Sequence, residues 1–514
     1  LLARARLLRE DGQPRRAATL LRRALTRYQN HIDPPAIILR LVQAYLQADM
    51  PAAAALWLDR AAKRFGSYRF SYRGRSVSFS QYRQAVLPRH FAAASASPII
   101  NPPLRPAYTL DFHDRPYLLE PRFGSLPATR RDLLIIYVRG QLRAYHATSG
   151  QPAWPEPLPC RTRPALLGYD DHHAILATAH QIFAVALDRP HIVWQRGHYP
   201  PQADDPAVDP ETISTWTDHI LTSRYLVSFR NRDQAVRIQT DTGQIRWRRR
   251  LDHRPAQLAA ASPDFVAYIA RRHNQTELVL LDATNGQTAN TAPLQEVGRI
   301  VRLALACDGT VVVVGSRSLL AWDPYNNRRI WQNRLDSPPR LATIQLGVDA
   351  LYLSNDGCTI LKYSLEDGSI CWRSARLVPP GQTATFRCRL EGDRLFVLGQ
   401  TLVAALQIAS GRLCWRGTIE PDTALEHFAI TRRYVLAVGA QSGGRPDQPS
   451  RYVAYLYDRR NDSGLIAPGG LTELGSFASF RSLHVRHRTI LAVDARKVRA
   501  FTGPTRPGLQ HRPQ

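Results

Sequence analysis

The stretch Gly140-Gln-Leu-Arg-Ala-Tyr-His-Ala-Thr-Ser-Gly150-Gln-Pro-Ala-Trp154 decides the fold, because it recurs in outline along most of the chain. Alternating apolar residues before the turn predict a β-strand. Gly150 predicts a tight turn, since glycine tolerates the left-handed backbone conformation that such turns require. Trp154 then begins the next strand, where its large ring can fill the gap between neighbouring sheets.

The glycine and the tryptophan keep a separation of four residues from copy to copy. The pairs are Gly150/Trp154, Gly243/Trp247, Gly368/Trp372 and Gly411/Trp415, and Asn327 takes the place of glycine before Trp331. Trp194 and Gly286 belong to further copies, and the copy containing Gly286 has no tryptophan near residue 290. We expect all these glycines and tryptophans to be structural. Most steps between successive tryptophans are 40 to 43 residues, and a period of about 40–45 with four short strands per unit indicates a β-propeller.

Two copies, Leu142-Arg-Ala-Tyr-His-Ala-Thr-Ser-Gly150 and Leu320-Ala-Trp-Asp-Pro-Tyr-Asn-Asn327, carry a family resemblance. They resemble the pyrroloquinoline-quinone (PQQ)-type repeat of the quinoprotein alcohol dehydrogenase-like proteins, over roughly residues 130–505. The resemblance implies a mainly β fold. We count nine candidate inner strand pairs, the last at Thr489 to Phe501, and expect the last strands to complete a blade begun near Ala107 to Leu119. That interpretation gives an eight-bladed propeller, with seven blades as the alternative.

The domain plan that follows has four parts. Residues 1–66 are predicted to form four helices, 67–104 a linker with one possible helix from Ser80 to Leu87, 105–503 the propeller, and 504–514 a flexible tail. Apolar residues at helical spacing and the repetition of Asp11 to Leu25 in Ala48 to Ala62 make the first segment resemble tetratricopeptide (TPR)-like hairpins. Because two such repeats rarely stand alone, we expect missing repeats upstream or docking onto the propeller. We also expect the chain, which starts at Leu1 without Met, to be a fragment or a processed product, with any N-terminal targeting segment out of view.

The chain is strongly basic, with 68 Lys and Arg against 42 Asp and Glu and a net charge of +26. Nearly all of the positive charge is arginine, and the densest run is Arg248-Arg249-Arg250. Such an excess attracts nucleic acid, anionic surfaces or acidic proteins. No run of about 18 apolar residues is present, so no transmembrane helix is predicted.

Candidate chemical sites are few. Asp171-His172-His173, and His484 with His487, have metal-ligating side chains, but their spacing on a strand sends neighbouring histidines to opposite faces. We therefore predict a turn at the first site and no metal at either. The six cysteines lack metal-ligand spacing, and buried free thiols are the favoured interpretation over disulfides.

The enzymes that the repeat resembles hold PQQ and a calcium ion beside a disulfide between adjacent cysteines. This sequence has no adjacent cysteine pair and no recognisable calcium-like cluster. We therefore expect no catalytic residues, no cofactor-binding residues and no cofactor. A PQQ-dependent dehydrogenase that uses calcium stays open as an alternative.

Non-catalytic proteins with this repeat look like the outer-membrane assembly lipoprotein that binds partners through its propeller loops. Helical repeats beside a propeller, with this Arg-, Ala- and Pro-rich composition, are similar to envelope-associated proteins of Planctomycetes-type bacteria. The resemblance implies a protein-binding scaffold in or facing the periplasm, using propeller loops or the TPR-like surface. A nucleic-acid or anionic-surface binder that acts through the arginine excess is the other alternative.

Overall fold

The protein is described here by a computed structural model. It describes residues 2–11, 14–27, 33–47, 50–91, 100–122, 132–170, 172–197, 216–222, 225–231, 233–252, 255–262, 264–272, 275–354, 356–379, 384–417, 419, 423–431, 433–441, 451–459, 466–476, 481–486 and 488–503. The predicted flexible tail at 504–514 lies outside these ranges.

Helices come first in the chain. They are α1 (Leu2–Glu10), α2 (Pro14–Arg27), α3 (Pro34–Gln47) and α4 (Pro51–Arg64), followed by the hairpin β1 (Phe70–Tyr72) and β2 (Arg75–Val77) and by α5 (Phe79–Phe91). Three of the helices begin with proline, which is tolerated in the first turn because its missing N–H has no intrahelical partner there. The fifth helix runs past Pro88 to Phe91, although proline usually ends a helix.

The helices share one apolar core. Ala17 of α2, Leu41 and Tyr45 of α3 and Leu58 of α4 are fully buried in it, and Phe79 of α5 packs at its end. Alanine at several contacts lets helix axes approach closely. The four predicted helices of residues 1–66 are therefore present, whereas their likeness to TPR hairpins is not confirmed and stays a prediction.

The rest of the described chain is almost entirely β-structure, in nine four-stranded sheets of antiparallel neighbours. We number these sheets as blades 1–9. Blade 1 contains β4 (Tyr117–Leu118), β5 (Leu133–Val138), β6 (Gln141–His146) and β7 (Leu158–Pro159). Blade 2 contains β8 (Ala165–Tyr169), β9 (His173–Ala177), β10 (Ile182–Ala186) and β11 (Ile192–Arg196). Blade 3 contains β12 (Trp216–Leu221), β13 (Tyr225–Arg230), β14 (Gln234–Gln239) and β15 (Ile245–Arg250).

The next three blades keep the same order of strands. Blade 4 contains β16 (Pro255–Ala261), β17 (Phe265–Arg272), β18 (Gln275–Asp282) and β19 (Thr288–Pro293). Blade 5 contains β20 (Ile300–Leu305), β21 (Val311–Gly315), β22 (Ser318–Asp323) and β23 (Arg328–Arg334). Blade 6 contains β24 (Gln345–Leu346), β25 (Ala350–Leu353), β26 (Leu361–Ser364) and β27 (Ile370–Arg373).

The last three blades include one that combines both ends of the β-region. Blade 7 contains β28 (Arg387–Glu391), β29 (Arg394–Leu398), β30 (Val403–Gln407) and β31 (Leu413–Arg416). Blade 8 contains β32 (Thr423–Ile430), β33 (Tyr434–Gln441), β34 (Arg451–Asp458) and β35 (Ile466–Ser476). Blade 9 contains β36 (Ser482–Arg486), β37 (Thr489–Val493) and β38 (Lys497–Thr502), and β3 (Arg105–Asp111) is its fourth strand.

The mainly β propeller is thus confirmed, but the predicted count of eight blades, or seven, is wrong: the structure has nine. The error lies in the segment Ala107 to Leu119, which the sequence interpretation assigns to a single blade. It contributes to two, because β3 pairs with β38 in blade 9 whereas Tyr117 and Leu118 pair with Tyr137 and Ile136 in blade 1. The ninth strand pair therefore needs no merging with the first.

The chain divides into two compact units. The first comprises Leu1–Ala96, Leu258–Asn355 and Leu361–Cys371, which include the helices and most of blades 4–6. The second comprises Ser97–Gln257, Asp356–Ile360 and Trp372–Gln514, which include blades 1–3 and 7–9.

Neighbouring blades are joined by a repeated contact within each unit. The indole of Trp194 in blade 2 packs on Gly243 in the turn of blade 3, and its Nε1–H donates to the carbonyl of Thr240 at 2.8 Å. Trp331 packs in the same way on Gly368 and donates to Leu365, and Trp372 packs on Gly411 and donates to Ile408. In each case the accepting carbonyl lies three residues before the glycine.

Two junctions use other side chains at the equivalent place. Asn290, where a tryptophan is missing from the repeat, donates from Nδ2 to the carbonyl of Pro324, three residues before Asn327. Tyr108 of blade 9 packs on Gly150 of blade 1 and donates its hydroxyl to the carbonyl of Ala147 at 2.6 Å. At these two junctions another side chain therefore replaces the indole and still donates a hydrogen bond to the turn carbonyl.

The remaining repeat residues are placed as follows. Trp154 of blade 1 donates to the carbonyl of Leu187 in blade 2 at 3.3 Å. Trp247 lies buried on β15, and Gly286 has a positive φ of 73° in the turn before β19. Trp415 is buried and stacks on Tyr457 with ring centroids 5.6 Å apart.

We expect Gly411→Ala to destabilise the protein more than Gly140→Ala. Both glycines have positive φ, at 71° and 78°, so each substitution strains the backbone by about 1–2 kcal/mol. A Cβ at Gly411 would also lie 2.5 Å from Trp372 Cε3, whereas at Gly140 its nearest neighbour would be 3.8 Å away. The added overlap should raise the loss for Gly411→Ala to about 2–5 kcal/mol in urea unfolding. Equal losses would contradict the packing role of this glycine.

Inside the first unit, the helices dock onto blades 4–6 through a buried arginine. Arg22 of α2 is 6% exposed, and its guanidinium donates to the carbonyl of Asp308 in blade 5. The guanidinium lies 3.9 Å from the carboxylate of Asp308 and 4.0 Å from that of Asp323. It also lies over the ring of Tyr325, 4.3 Å from the centroid. The sequence expectation that these helices dock onto the propeller is met within this unit.

The charges in this interface balance one another. Arg60 of α4 reaches the carboxylate of Asp308 at 3.4 Å, and the hydroxyl of Tyr325 donates to Asp264 of blade 4 at 2.9 Å. Burial alone would raise the pKa of Asp308, but Arg22 and Arg60 outweigh it, so that its pKa is lowered and the carboxylate stays ionised. Removing one partner of such a buried ion pair destabilises the fold, because the charge of the other partner stays buried without compensation.

We expect Arg22→Met to lower the free energy of unfolding by about 3–5 kcal/mol, because it removes the buried cation that lies between the carboxylates of Asp308 and Asp323. Arg6→Met is the matched control, since Arg6 makes an exposed pair with Glu10 that water screens, and its loss should change stability little. Thermal and urea unfolding of both variants measure the difference. Limited proteolysis should release residues 1–91 faster from Arg22→Met than from the wild type. Similar stability of the two variants would contradict docking through Arg22.

Candidate functional site

Polar side chains gather beside the first strands of several blades in the second unit. They border an open cleft of about 580 Å³, which we call the Arg122 cleft. Its lining residues are Tyr117, Leu118, Leu119, Glu120, Arg122, Arg163, Pro164, Ala165, Leu166, Ala177, Thr178, Ala179, Trp216, Asp218 and His219. They come from blades 1, 2 and 3. The cleft is therefore built by neighbouring blades rather than by one loop.

The chain enters the cleft because β4 is only two residues long. The N–H of Leu119 still donates to the carbonyl of Ile135 on β5 at 2.9 Å; the backbone then leaves the sheet, and the N–H of Arg122 donates to the carbonyl of Leu166 on β8 at 3.1 Å. β8 is the edge strand of blade 2, bonded on its other side to β9. The segment from Leu119 to Arg122 thus crosses from blade 1 to the edge of blade 2 and carries its side chains with it.

Glu120 is held by two side chains of β36. His484 Nδ1 lies 2.5 Å and Arg486 Nη2 lies 2.9 Å from the same carboxylate oxygen, Oε1. The other ring nitrogen of His484 lies 2.7 Å from the hydroxyl of Ser482. Burial opposes ionisation of Glu120, but the hydrogen bond from His484 and the charge of Arg486 outweigh it and lower the pKa of Glu120. Glu120 is therefore an ionised carboxylate whose charge is already compensated.

His219 of β12 is the second titratable group in the cleft. Its Nδ1 lies 2.8 Å from the hydroxyl of Ser228, which is fully buried. Burial, and then the charge of Arg122, lower the pKa of His219 to about 4. At neutral pH its imidazole is uncharged, so it can serve the cleft as a hydrogen-bonding group but not as a cation.

Asp218, next to His219, has an unusual backbone. Its φ is 47°, in the left-handed region that residues other than glycine rarely adopt. The register between β12 and β13 shifts between Thr217 and Ile220 around it. Such a conformation costs about 1–3 kcal/mol and persists where the surrounding structure holds it, often at functional sites.

Two arginines, Arg122 and Arg163, line the cleft. Arg163 lies over the ring of Tyr117, 4.5 Å from its centroid, and Arg115 lies over the same ring at 4.9 Å. Within the residues that the structure describes, neither Arg122 nor Arg163 makes an ion pair with a carboxylate. Exposed guanidinium groups in a cleft favour ligands that carry carboxylate or phosphate groups.

A second histidine, close to the His484 side chain that holds Glu120, is also uncharged at neutral pH. His427 of β32 has its pKa lowered to about 4, first by burial and then by Arg387 and His484. The carboxylate of Glu426 lies 3.9 Å from its Nε2. That carboxylate is solvent-exposed, and water weakens its opposing effect on the pKa.

The residues that the sequence analysis considered as metal ligands do not come together in one site among the described residues. Asp171 and His487 lie outside the described residues. The backbone N–H groups of His172 and His173 both donate to Asp170 Oδ1, so a turn precedes β9 as predicted. His484 is a partner of Glu120. Among the described residues, no group of three or more His, Cys, Asp or Glu side chains is placed to hold a metal ion.

The described residues do not fit the calcium ion that accompanies PQQ in the enzymes with this repeat. Calcium requires several oxygen ligands around one point, and no such group of carboxylates occurs among these residues. All six cysteines are free thiols, and three of them, Cys160, Cys358 and Cys388, are buried. Across the described part of the chain, no helix is long and apolar enough to cross a bilayer.

Sequence reasoning missed the residues of the Arg122 cleft. Glu120, Arg122 and His219 fall outside the repeat motif, in a crossing segment and at a bulge, and no periodicity marks them. Trp216 lines the cleft but lacks the glycine that stands four residues before Trp154, Trp247, Trp372 and Trp415. The one signal in the sequence is the polar stretch Glu120-Pro-Arg122 directly after the apolar residues of β4.

The blades and their turn-and-tryptophan junctions define a β-propeller built from PQQ-like repeats. A family model matches residues 115–333 and 274–443, which together cover more than half of the chain. The chain belongs to that family, described as outer membrane protein assembly factor BamB.

Two solved structures are similar to this chain at low identity. BamB from Moraxella catarrhalis is 17% identical with a TM-score of 0.42, and the alignment covers 66% of this chain and 96% of that one. The computationally designed Ika8 protein is 12% identical with a TM-score of 0.43, covering 65% and 94%. No curated protein matches this chain.

We expect stability to fall more steeply with acid in the wild type than in His219→Gln. The histidine has a pKa of 6.5 in the unfolded state, whereas burial lowers the pKa of His219 in the folded state to about 4. Its contribution to the free energy of unfolding is therefore largest above pH 6.5 and is lost as the pH falls toward 4. Between pH 7 and 5 the wild type should lose about 1–2 kcal/mol more than His219→Gln in urea unfolding. His113→Gln, at an exposed site, is the control and should follow the wild type. Identical slopes for the wild type and His219→Gln would contradict a buried neutral imidazole.

Proposed function

We propose that this protein is a non-catalytic scaffold of the bacterial envelope, facing the periplasm, whose propeller loops and surface clefts bind other proteins. The observation that carries the proposal is the match of the family model across residues 115–443, because that family is described as an outer membrane protein assembly factor. Assembly factors act by holding other proteins. A function of this kind needs a rigid surface rather than a reactive centre.

The geometry of the blades supports rigid binding surfaces. The recurring residues of the repeat are used for contacts between blades, as in the packing of Trp194 on Gly243 and of Trp372 on Gly411. The loops at the strand ends are thereby held in place while their sequences remain free to vary. Propeller faces of this kind offer wide surfaces on which several partners can dock.

The densest part of the arginine excess lies on the edge strand β15, where it has two candidate roles, binding of nucleic acid and protection of the sheet edge. On β15, the outermost strand of blade 3, the side chains of Arg246, Arg248, Arg249 and Arg250 are exposed. Charged residues on an edge strand also prevent strands of different molecules from pairing. We assign these arginines to edge protection, and nucleic-acid binding is the outcome that would overturn this assignment.

The test is affinity purification of the tagged full chain from native cells, with quantitative mass spectrometry and with or without nuclease. We expect envelope proteins to be enriched equally in both arms, and the leading partner to bind again when both proteins are purified. Arg248→Glu/Arg249→Glu/Arg250→Glu should leave that partner's recovery unchanged. Recovery of ribosomal or DNA-associated proteins that disappear with nuclease and with this variant would overturn the scaffold proposal.

A parallel arm addresses the dehydrogenase alternative. The purified chain is mixed with PQQ and calcium, and reduction of an electron-accepting dye is followed with alcohols and sugars as substrates. We expect no reduction above that of a heat-denatured sample. Tight cofactor binding together with dye reduction would replace the scaffold by an enzyme.

A further inference from the structure

We propose that the Arg122 cleft is the docking site for an acidic, extended segment of the partner protein. This inference rests on the proposed scaffold function and names the site at which one partner is held. The segment's carboxylates would pair with Arg122 and Arg163, and its apolar side chains would lie on the wall of the cleft.

The charge of the cleft is the first argument. Of the two acidic side chains that line it, Glu120 is already held by Arg486 and His484 and Asp218 is the other, so the two guanidinium groups of Arg122 and Arg163 exceed the carboxylate charge beside them. Arg163 and Arg115 face the ring of Tyr117 instead of a carboxylate. The positive charge left over is complementary to a ligand that bears carboxylates.

The apolar wall is the second argument. Leu119 and Leu166 are buried beneath the cleft surface, and Trp216 is 6% exposed on its side. Pro164 and Ala165 continue this wall along β8. A free carboxylate ion would leave these apolar residues unused, whereas a segment with alternating acidic and apolar side chains would contact both parts.

The form of the ligand follows from the edge strand. β8 is hydrogen-bonded on one side to β9, and the chain from blade 1 already bonds to it through the N–H of Arg122 and the carbonyl of Leu166. The protein's own chain therefore reaches this edge at Leu166, and the peptide backbone would pair beside it, along the rest of β8. Extended peptides bind sheet edges through the same main-chain hydrogen bonds, and side-chain pockets supply their specificity.

The neutral imidazole of His219 completes the site. Its Nδ1 is taken by Ser228, and the described residues give its Nε2 no partner. In a cleft of this polarity Nε2 can hydrogen-bond to the segment's backbone. Since this group is uncharged at neutral pH, the affinity for carboxylates depends on the arginines and weakens with salt.

The experiment uses the full chain and a fluorescein-labelled hexapeptide, Leu-Glu-Leu-Glu-Leu-Glu, with its C-terminus amidated. The matched probe replaces each glutamate by glutamine. We expect the glutamate peptide to bind at least about tenfold more tightly by fluorescence anisotropy, and its affinity to fall as salt is raised. Equal binding of the two peptides would overturn the proposal.

Variants locate the binding. Arg122→Gln and Arg163→Gln should each weaken the glutamate peptide several-fold, and the double variant about tenfold or more. Arg416→Gln is the control, because Arg416 is an exposed arginine on β31 that does not line the cleft. Thermal unfolding checks that all variants remain folded, which is expected because these arginines are exposed. An effect of Arg416→Gln equal to that of Arg122→Gln would overturn the assignment to the cleft.

Two further measurements separate the possible failures. N-acetylglutamate is added as a competitor, and displacement of the peptide at equal concentration would show a small-molecule site instead of a peptide site. Arg122→Glu/Arg163→Glu is then used as bait in the purification from cells. Loss of the reconstituted partner supports docking at the Arg122 cleft. Full retention of that partner overturns docking at the cleft but does not contradict the scaffold function. Absence of any specific partner from the wild-type bait overturns the scaffold itself.

Discussion

The contact on which the structure depends is the packing of a side chain from one blade against the turn of the next. A left-handed glycine removes the Cβ, an aromatic ring occupies the space, and an N–H or O–H from that ring bonds to a carbonyl three residues earlier. Each of these four junctions buries apolar surface and at the same time satisfies a buried polar group. The two effects together fix the angle between adjacent blades more tightly than apolar packing alone.

The repeat itself could be predicted from the sequence because the junction needs particular residue types at a fixed separation. Gly150, Gly243 and Trp331 indicate strands and turns by their spacing alone. The blade count could not be predicted, because β4 is only two residues long and leaves no periodic signal between β3 and β5. Two junctions could not be recognised from the sequence, because Asn290 and Tyr108 stand in place of the tryptophan. They keep the hydrogen bond to the turn carbonyl but not the residue type that marks the repeat.

The Arg122 cleft lies beyond sequence reasoning for another reason. Glu120 meets His484 and Arg486 across a separation of more than 360 residues, and only the pairing of chain segments brings them together. The helices illustrate the same limit. Their apolar spacing predicts that they fold, but only the structure shows that Arg22 and Arg60 reach Asp308 within their unit. The helices are therefore bound to blade 5 by charge, and part of their surface is already used by the protein itself.

Blade 9 has a consequence for how the protein is made. Its outermost strand, β3, comes from residues 105–111, and the strand that it pairs with, β38, comes from residues 497–502. Contacts between segments so distant in sequence form slowly, because the intervening chain must first be ordered. During synthesis on the ribosome, β3 emerges long before its partner and waits as an unpaired edge, the kind of surface on which aggregation begins. A chain whose synthesis stops before residue 497 would therefore leave β3 without its partner strand and accessible to chaperones and proteases.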